Sequence, residues 1–95
     1  MADLERLHAW IDGHVQGVGF RYFVREQAAA MPITGWVRNL HDGRVEMIAE
    51  GKREDLDKLL TAVKQGPRAS HVIEVRTEWG TAKGEFDSFR VQPTA

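Results

Sequence analysis

Between strand-like and helix-like stretches near its amino end, the chain runs Val15-Gln16-Gly17-Val18-Gly19-Phe20-Arg21, two glycines one residue apart and then an arginine. Glycine lets backbone approach a ligand closely and take positive φ, so consecutive amides can converge on one anion. A helix that opens after such a turn adds unpartnered N–H groups and the positive end of its dipole. Arg21 adds a permanent charge and a two-pronged donor suited to phosphate oxygens. The chemistry on offer is anion binding, with phosphate the natural guest. A lone Gly-x-Gly is also what a plain tight turn needs, and on the glycines alone that reading stands beside the first.

Spacing separates the two. Val15 stands six positions before Arg21, the separation of cysteine and arginine in the Cys-x5-Arg loop of protein tyrosine phosphatases. The loop length resembles theirs but the nucleophile is replaced by Val15, so no phosphoenzyme can form there. That favours direct attack of water on a bound phosphoryl group. Walker A requires Gly-Lys-Ser/Thr and the dinucleotide fingerprint Gly-x-Gly-x-x-Gly, and the run Gly17 to Tyr22 contains neither. Gly17 to Phe23 is similar to the aromatic signature of RRM domains, which belongs on a third strand. Here it opens a helix, and Arg44 to Glu50 holds no aromatic for a base to stack on.

The elements that carry the loop follow from periodicity. Leu7, Ala9, Ile11 and Gly13 alternate with His8, Trp10, Asp12 and His14, which predicts a strand with one face toward a core. Phe20, Phe23, Val24, Ala28 and Met31 mark one helix face, stopped by Pro32. Ile33 to Leu40 and Arg44 to Glu50 read as strands joined by an Asp42-Gly43 hairpin. Leu56, Leu59, Leu60 and Val63 mark a second helix, with Glu54 and Asp55 at its positive end and Gly66-Pro67 beyond it. His71 to Trp79 is a fourth strand, Gly80 to Asp87 a connection, and Phe89 and Val91 alternate inward in a candidate fifth edge strand. The order β-α-β-β-α-β predicts an α+β, ferredoxin-like sandwich: an antiparallel sheet of four to five strands with two helices on one face.

Composition narrows the functions. Ninety-five residues, 42% hydrophobic and 28% charged, suit one compact domain, here residues 1–95. Thirteen basic and fourteen acidic residues create no global positive field, so a nucleic-acid partner is not expected and any anion must be bound locally. With no cysteine there is no thiolate nucleophile or disulfide frame. The acidic start, Met1 to Arg6, does not suit a secretory peptide, and no apolar run is of membrane-spanning length, so a cytoplasmic protein off the membrane is expected.

Two longer motifs now carry a resemblance. Ile11 to Arg21 resembles the first signature of the acylphosphatase family, and Gly35 to Val45, completed by Gly51, resembles the second. The family hydrolyses acyl phosphates to a carboxylate and inorganic phosphate without metal. The resemblance implies that Arg21 and the amides of Val15, Gln16, Gly17, Val18, Gly19 and Phe20 bind the phosphoryl group and that Asn39 orients the attacking water. On residue type alone, Asn39 ahead of Leu40-His41-Asp42-Gly43 is ordinary hairpin chemistry. No cofactor is implied, inorganic phosphate or sulfate should compete with substrate, and a monomer is expected. The alternative is a non-catalytic phosphate-binding module on the same fold. An accessory domain like that of hydrogenase-maturation carbamoyltransferases is disfavoured by a chain that starts at Met1, ends soon after its last strand and lacks cysteine-rich zinc modules.

Other polar residues are assigned to structure. His8 and His14 lie six residues apart on one strand face, roughly 20 Å and too far to share a metal. They and His41 and His71 are expected at the surface or an edge, with His14 beside the loop. Glu46 and Glu50 alternate along the third strand and are expected on a solvated face. Trp10, Trp36 and Trp79 suit the core or a sheet face better than a cofactor site.

Overall fold

The computed structural model describes residues 3–95, so Met1 and Ala2 of the acidic start lie outside the described residues. Seven elements follow one another: β1 (Glu5–His14), α1 (Phe20–Ala29), β2 (Thr34–Asn39), β3 (Val45–Gly51), α2 (Arg53–Gln65), β4 (His71–Thr81) and β5 (Phe89–Val91). Each of the anticipated segments is present, with boundaries moved by a residue or two except at the end of α1 and at the start of α2. None of the described helices is long and apolar enough to cross a membrane.

Period-two burial decides which way each strand faces. Leu7, Ala9 and Ile11 of β1, Val37 of β2 and Val45, Met47 and Ala49 of β3 are fully buried on one face. Phe20, Val24 and Ala28 of α1 and Leu56, Leu59 and Val63 of α2, spaced at three and four residues, close the same core. Both helices therefore cover one side of the sheet. Glu54 and Asp55 occupy the first turn of α2, where the helix dipole favours negative charge.

The strand order is β4-β1-β3-β2-β5, and the first four strands pair antiparallel. The fifth corrects the expectation of a purely antiparallel sheet: β5 runs parallel to β2, with Gly35 opposite Phe89 and Val37 opposite Val91. The reason is topological. Thr81 ends β4 beside Glu5, at the end of the sheet where β1 and β2 both begin. A chain that crosses from there to the far edge can only leave in the direction of β2. The consequence is that β1, β2 and β5 all finish at one end of the sheet, where the glycine loop follows His14.

Candidate active site

The glycine loop is pinned at both ends and open between. Val15 and Phe20 are 1% and 2% exposed and anchor it in the core. Gly17 and Gly19 take φ of 74° and 75°, the left-handed region that favours glycine. Gly19 is the N-cap of α1 and offers no side-chain oxygen to the first amides, and no acidic residue lies in the first turn. The positive end of α1 is therefore left for an outside anion.

Asn39 reaches this end by register. It ends β2 opposite Val45, two residues after the buried Val37, so alternation turns it to the helix side while Arg38 turns to the other face. A cavity of about 100 Å³ forms there, lined by Val15, Gly17, Gly19 and Phe20 of the loop, Arg21 and Tyr22 of α1, and Asn39. One water needs only ~10–15 Å³ of such space, so the cavity has room for a small anion with a water beside it. Arg21 Nη1 donates to the carbonyl oxygen of Gln92, just past β5, at 3.4 Å. Asn39 Oδ1 is buried and accepts no hydrogen bond in this structure. A buried acceptor left without a partner costs ~1–3 kcal/mol, and such exceptions cluster where a ligand or water completes the site.

Of the loop residues expected at the site, Gln16 and Val18 do not line the cavity. Val18 packs on the core. The Gln16 side chain crosses to the β2–β3 hairpin and donates from Nε2 to the carbonyl oxygens of Leu40 (2.7 Å) and Arg44 (2.9 Å). That role was not visible in the sequence, because its acceptors are backbone atoms 24 and 28 residues away.

A family profile for acylphosphatase matches residues 7–91. The chain belongs to the acylphosphatase family. An acylphosphatase of Salinibacter ruber is 47% identical over 88 residues, 93% of each chain. Among solved structures, the acylphosphatase of Bacillus subtilis superposes with a TM-score of 0.89 at 38% identity, covering 93% of this chain and 98% of its own. That of Coxiella burnetii gives 0.88 at 36% identity, covering 95% and 94%. The reaction is hydrolysis of an acyl phosphate to a carboxylate and inorganic phosphate, with a small-molecule acyl phosphate as substrate.

The sheet face away from the helices departs from the solvated surface expected of Glu46 and Glu50. They do point away from the helices, yet they are only 7% and 3% exposed. Glu46 is bracketed by His8 Nε2 at 2.7 Å and Arg38 Nε at 2.8 Å. Glu50 accepts from Arg6 Nε (2.9 Å) and from the backbone N–H of Lys83 (2.8 Å) and Gly84 (3.1 Å), in the segment that crosses to β5. Alternation assigns a face but cannot say what lies across it. Burial pushes both carboxyls up, and the donors outweigh it, holding each below the ordinary range. His8 is likewise half-buried in mid-sheet, whereas His14 and His71 are exposed and opposite one another across β1 and β4. His41 is exposed on the hairpin. The tryptophans serve as structural platforms: Arg38 lies over Trp36 and Arg53 over Trp79, and Trp10 stacks on His8.

Proposed function

We propose that Arg21 and the amides of residues 15–20 hold the phosphoryl group and that Asn39 orients the water that attacks it. The observation that carries this reading is the cavity that Asn39 lines together with Arg21 and the loop glycines, with a buried, partnerless Oδ1 on the same Asn39 side chain. With the Asn39 amide turned into the cavity, a water there donates one hydrogen to Oδ1 and accepts from the amide nitrogen, which leaves a lone pair for phosphorus.

The water oxygen bonds to phosphorus as the bond to the acyl oxygen breaks, the carboxylate leaves with that electron pair, and the water proton passes to a phosphate oxygen. A carboxylate is a good leaving group, so positioning and stabilisation of the phosphoryl charge are what the protein must supply. The guanidinium of Arg21 and the end of α1 supply that charge without calling on a metal.

The same reading takes residues 1–95 as a single domain and the enzyme as a cytoplasmic monomer, with inorganic phosphate or sulfate competing for the loop. The net charge of −1 supports a small anion rather than nucleic acid as the partner. Acetyl phosphate hydrolysis by purified protein in chelator tests the chemistry. Arg21→Ala and Asn39→Ala should each lower turnover by about 10²–10³. Either variant turning over at the parent rate would overturn the assignment of that residue.

A further inference from the structure

We infer that Tyr22 forms the subsite for the acyl group and tunes the enzyme toward acyl phosphates with a flat, apolar acyl moiety. The inference rests on the phosphate site proposed above and adds the part of the substrate that site leaves unread.

In-line displacement sends the acyl oxygen out on the side of phosphorus away from the attacking water. With the water at Asn39, the acyl group must project from the cavity toward solvent. Few side chains can meet it there. Val15 and Phe20 are buried, Gly17 and Gly19 have no side chain, and Arg21 and Asn39 are committed to phosphate and water. Among the described residues that line the cavity, Tyr22 alone remains, and it is 52% exposed. An aromatic ring left half in water at the mouth of an anion site offers an uncovered apolar face.

The ring also has a partner on its own helix. Arg25, one turn further along α1, sets its guanidinium carbon 5.3 Å from the ring centroid. Residues three apart on a helix are neighbours, and a cation over a ring is a favourable contact. Arg25 is in no ion pair among the described residues. No carboxylate competes for its guanidinium, so the contact biases Tyr22 toward the observed rotamer, and less order has to be imposed on the ring when an acyl group settles against it.

Steady-state kinetics of Tyr22→Ala and Tyr22→Phe with benzoyl and acetyl phosphate test the inference, with inorganic phosphate as a competitive probe of the inner site. In Tyr22→Ala, kcat/KM for benzoyl phosphate should fall about tenfold, mainly through KM, and by at least about fivefold more than for acetyl phosphate. Tyr22→Phe should keep the parent ratio, because the ring face is retained. Equal losses on both substrates, or an unchanged ratio in Tyr22→Ala, would overturn the subsite. The inner site is judged separately: its phosphate-binding reading fails if Arg21→Ala leaves phosphate inhibition where it was. Tyr22 is half-exposed, so the variants should fold, and a melting curve for each checks that they do.

Discussion

Gln16 Nε2 lies 2.7 Å from the carbonyl oxygen of Leu40, the residue that follows Asn39. The same nitrogen donates to the carbonyl oxygen of Arg44, so one side chain of the glycine loop spans the mouth of the hairpin whose first strand ends in Asn39. Two parts of the site that are far apart in sequence are thereby held at a set distance. Arg21, from the helix, makes a longer contact, 3.4 Å, with the carbonyl oxygen of Gln92.

Gln16→Leu should therefore damage catalysis more than binding. The carbonyl oxygen of Leu40 would lose its side-chain donor, at about 1–2 kcal/mol of stability. The loop and Asn39 would lose their shared spacer, and turnover should fall about tenfold while phosphate inhibition changes little. Rapid kinetics and chemical denaturation measure the two effects. Unchanged turnover would mean that the tie is structural only.

Asn39→Asp separates geometry from charge. The side chains are nearly isosteric, but the carboxylate loses the amide donor and sets a negative charge beside a bound anion. Phosphate should inhibit Asn39→Asp more weakly than Asn39→Ala, although both turn over slowly. Inhibition constants for the two variants decide it.

Gly19 and Gly35 should answer differently to alanine. At Gly19, φ is 75° and an added Cβ meets nothing within 4 Å, so only the backbone preference is lost, about 1–2 kcal/mol. The loop amides should also be misdirected and phosphate affinity should fall. At Gly35, φ is 142° and an added Cβ would collide with the carbonyl oxygen of Ile48. Gly35→Ala should not yield a folded protein, whereas Gly19→Ala should, as circular dichroism would register.

Acid sensitivity should trace in part to Glu50. Burial raises its pKa, but the hydrogen bonds from Lys83, Arg6 and Gly84 lower it by more, so the folded-state value lies below the ordinary 4.5. The stability this contributes is present above the unfolded-chain value and is lost as pH falls through the folded one. Glu50→Gln should be less stable than the parent at neutral pH and should lose less on acidification below about 4.5. Denaturation midpoints at pH 7 and pH 3.5 test it, and parallel losses in both proteins would refute the assignment.

Local order carried most of the fold. The alternation of Leu7, Ala9 and Ile11, the helical spacing of Phe20, Val24 and Ala28, and the Asp42-Gly43 turn each specify an element by interactions within a few residues. Their sequence then leaves few ways to bury the apolar faces together, which is why β1 through β4 were legible. The glycine loop was legible for the same reason: a positive φ at Gly17 and Gly19 and a helix start at Phe20 are local properties. Asn39 was readable only by resemblance, since its neighbours alone describe a hairpin.

What tertiary structure decided lies in contacts between distant segments. The direction of β5 depends on which end of the sheet the chain leaves after Thr81, and its parallel course is what brings Gln92 to Arg21. The cover over Glu46 and Glu50 comes from Arg38, Arg6 and the 82–86 segment, none of which a period-two pattern can place. Gln16 and Tyr22 belong to the same group, one bonded across to a hairpin and the other left at the mouth of a cavity. Periodicity reports which face a residue takes. Only the packed chain determines what stands opposite that face, because partners 24 to 71 residues away are chosen by topology and not by neighbours.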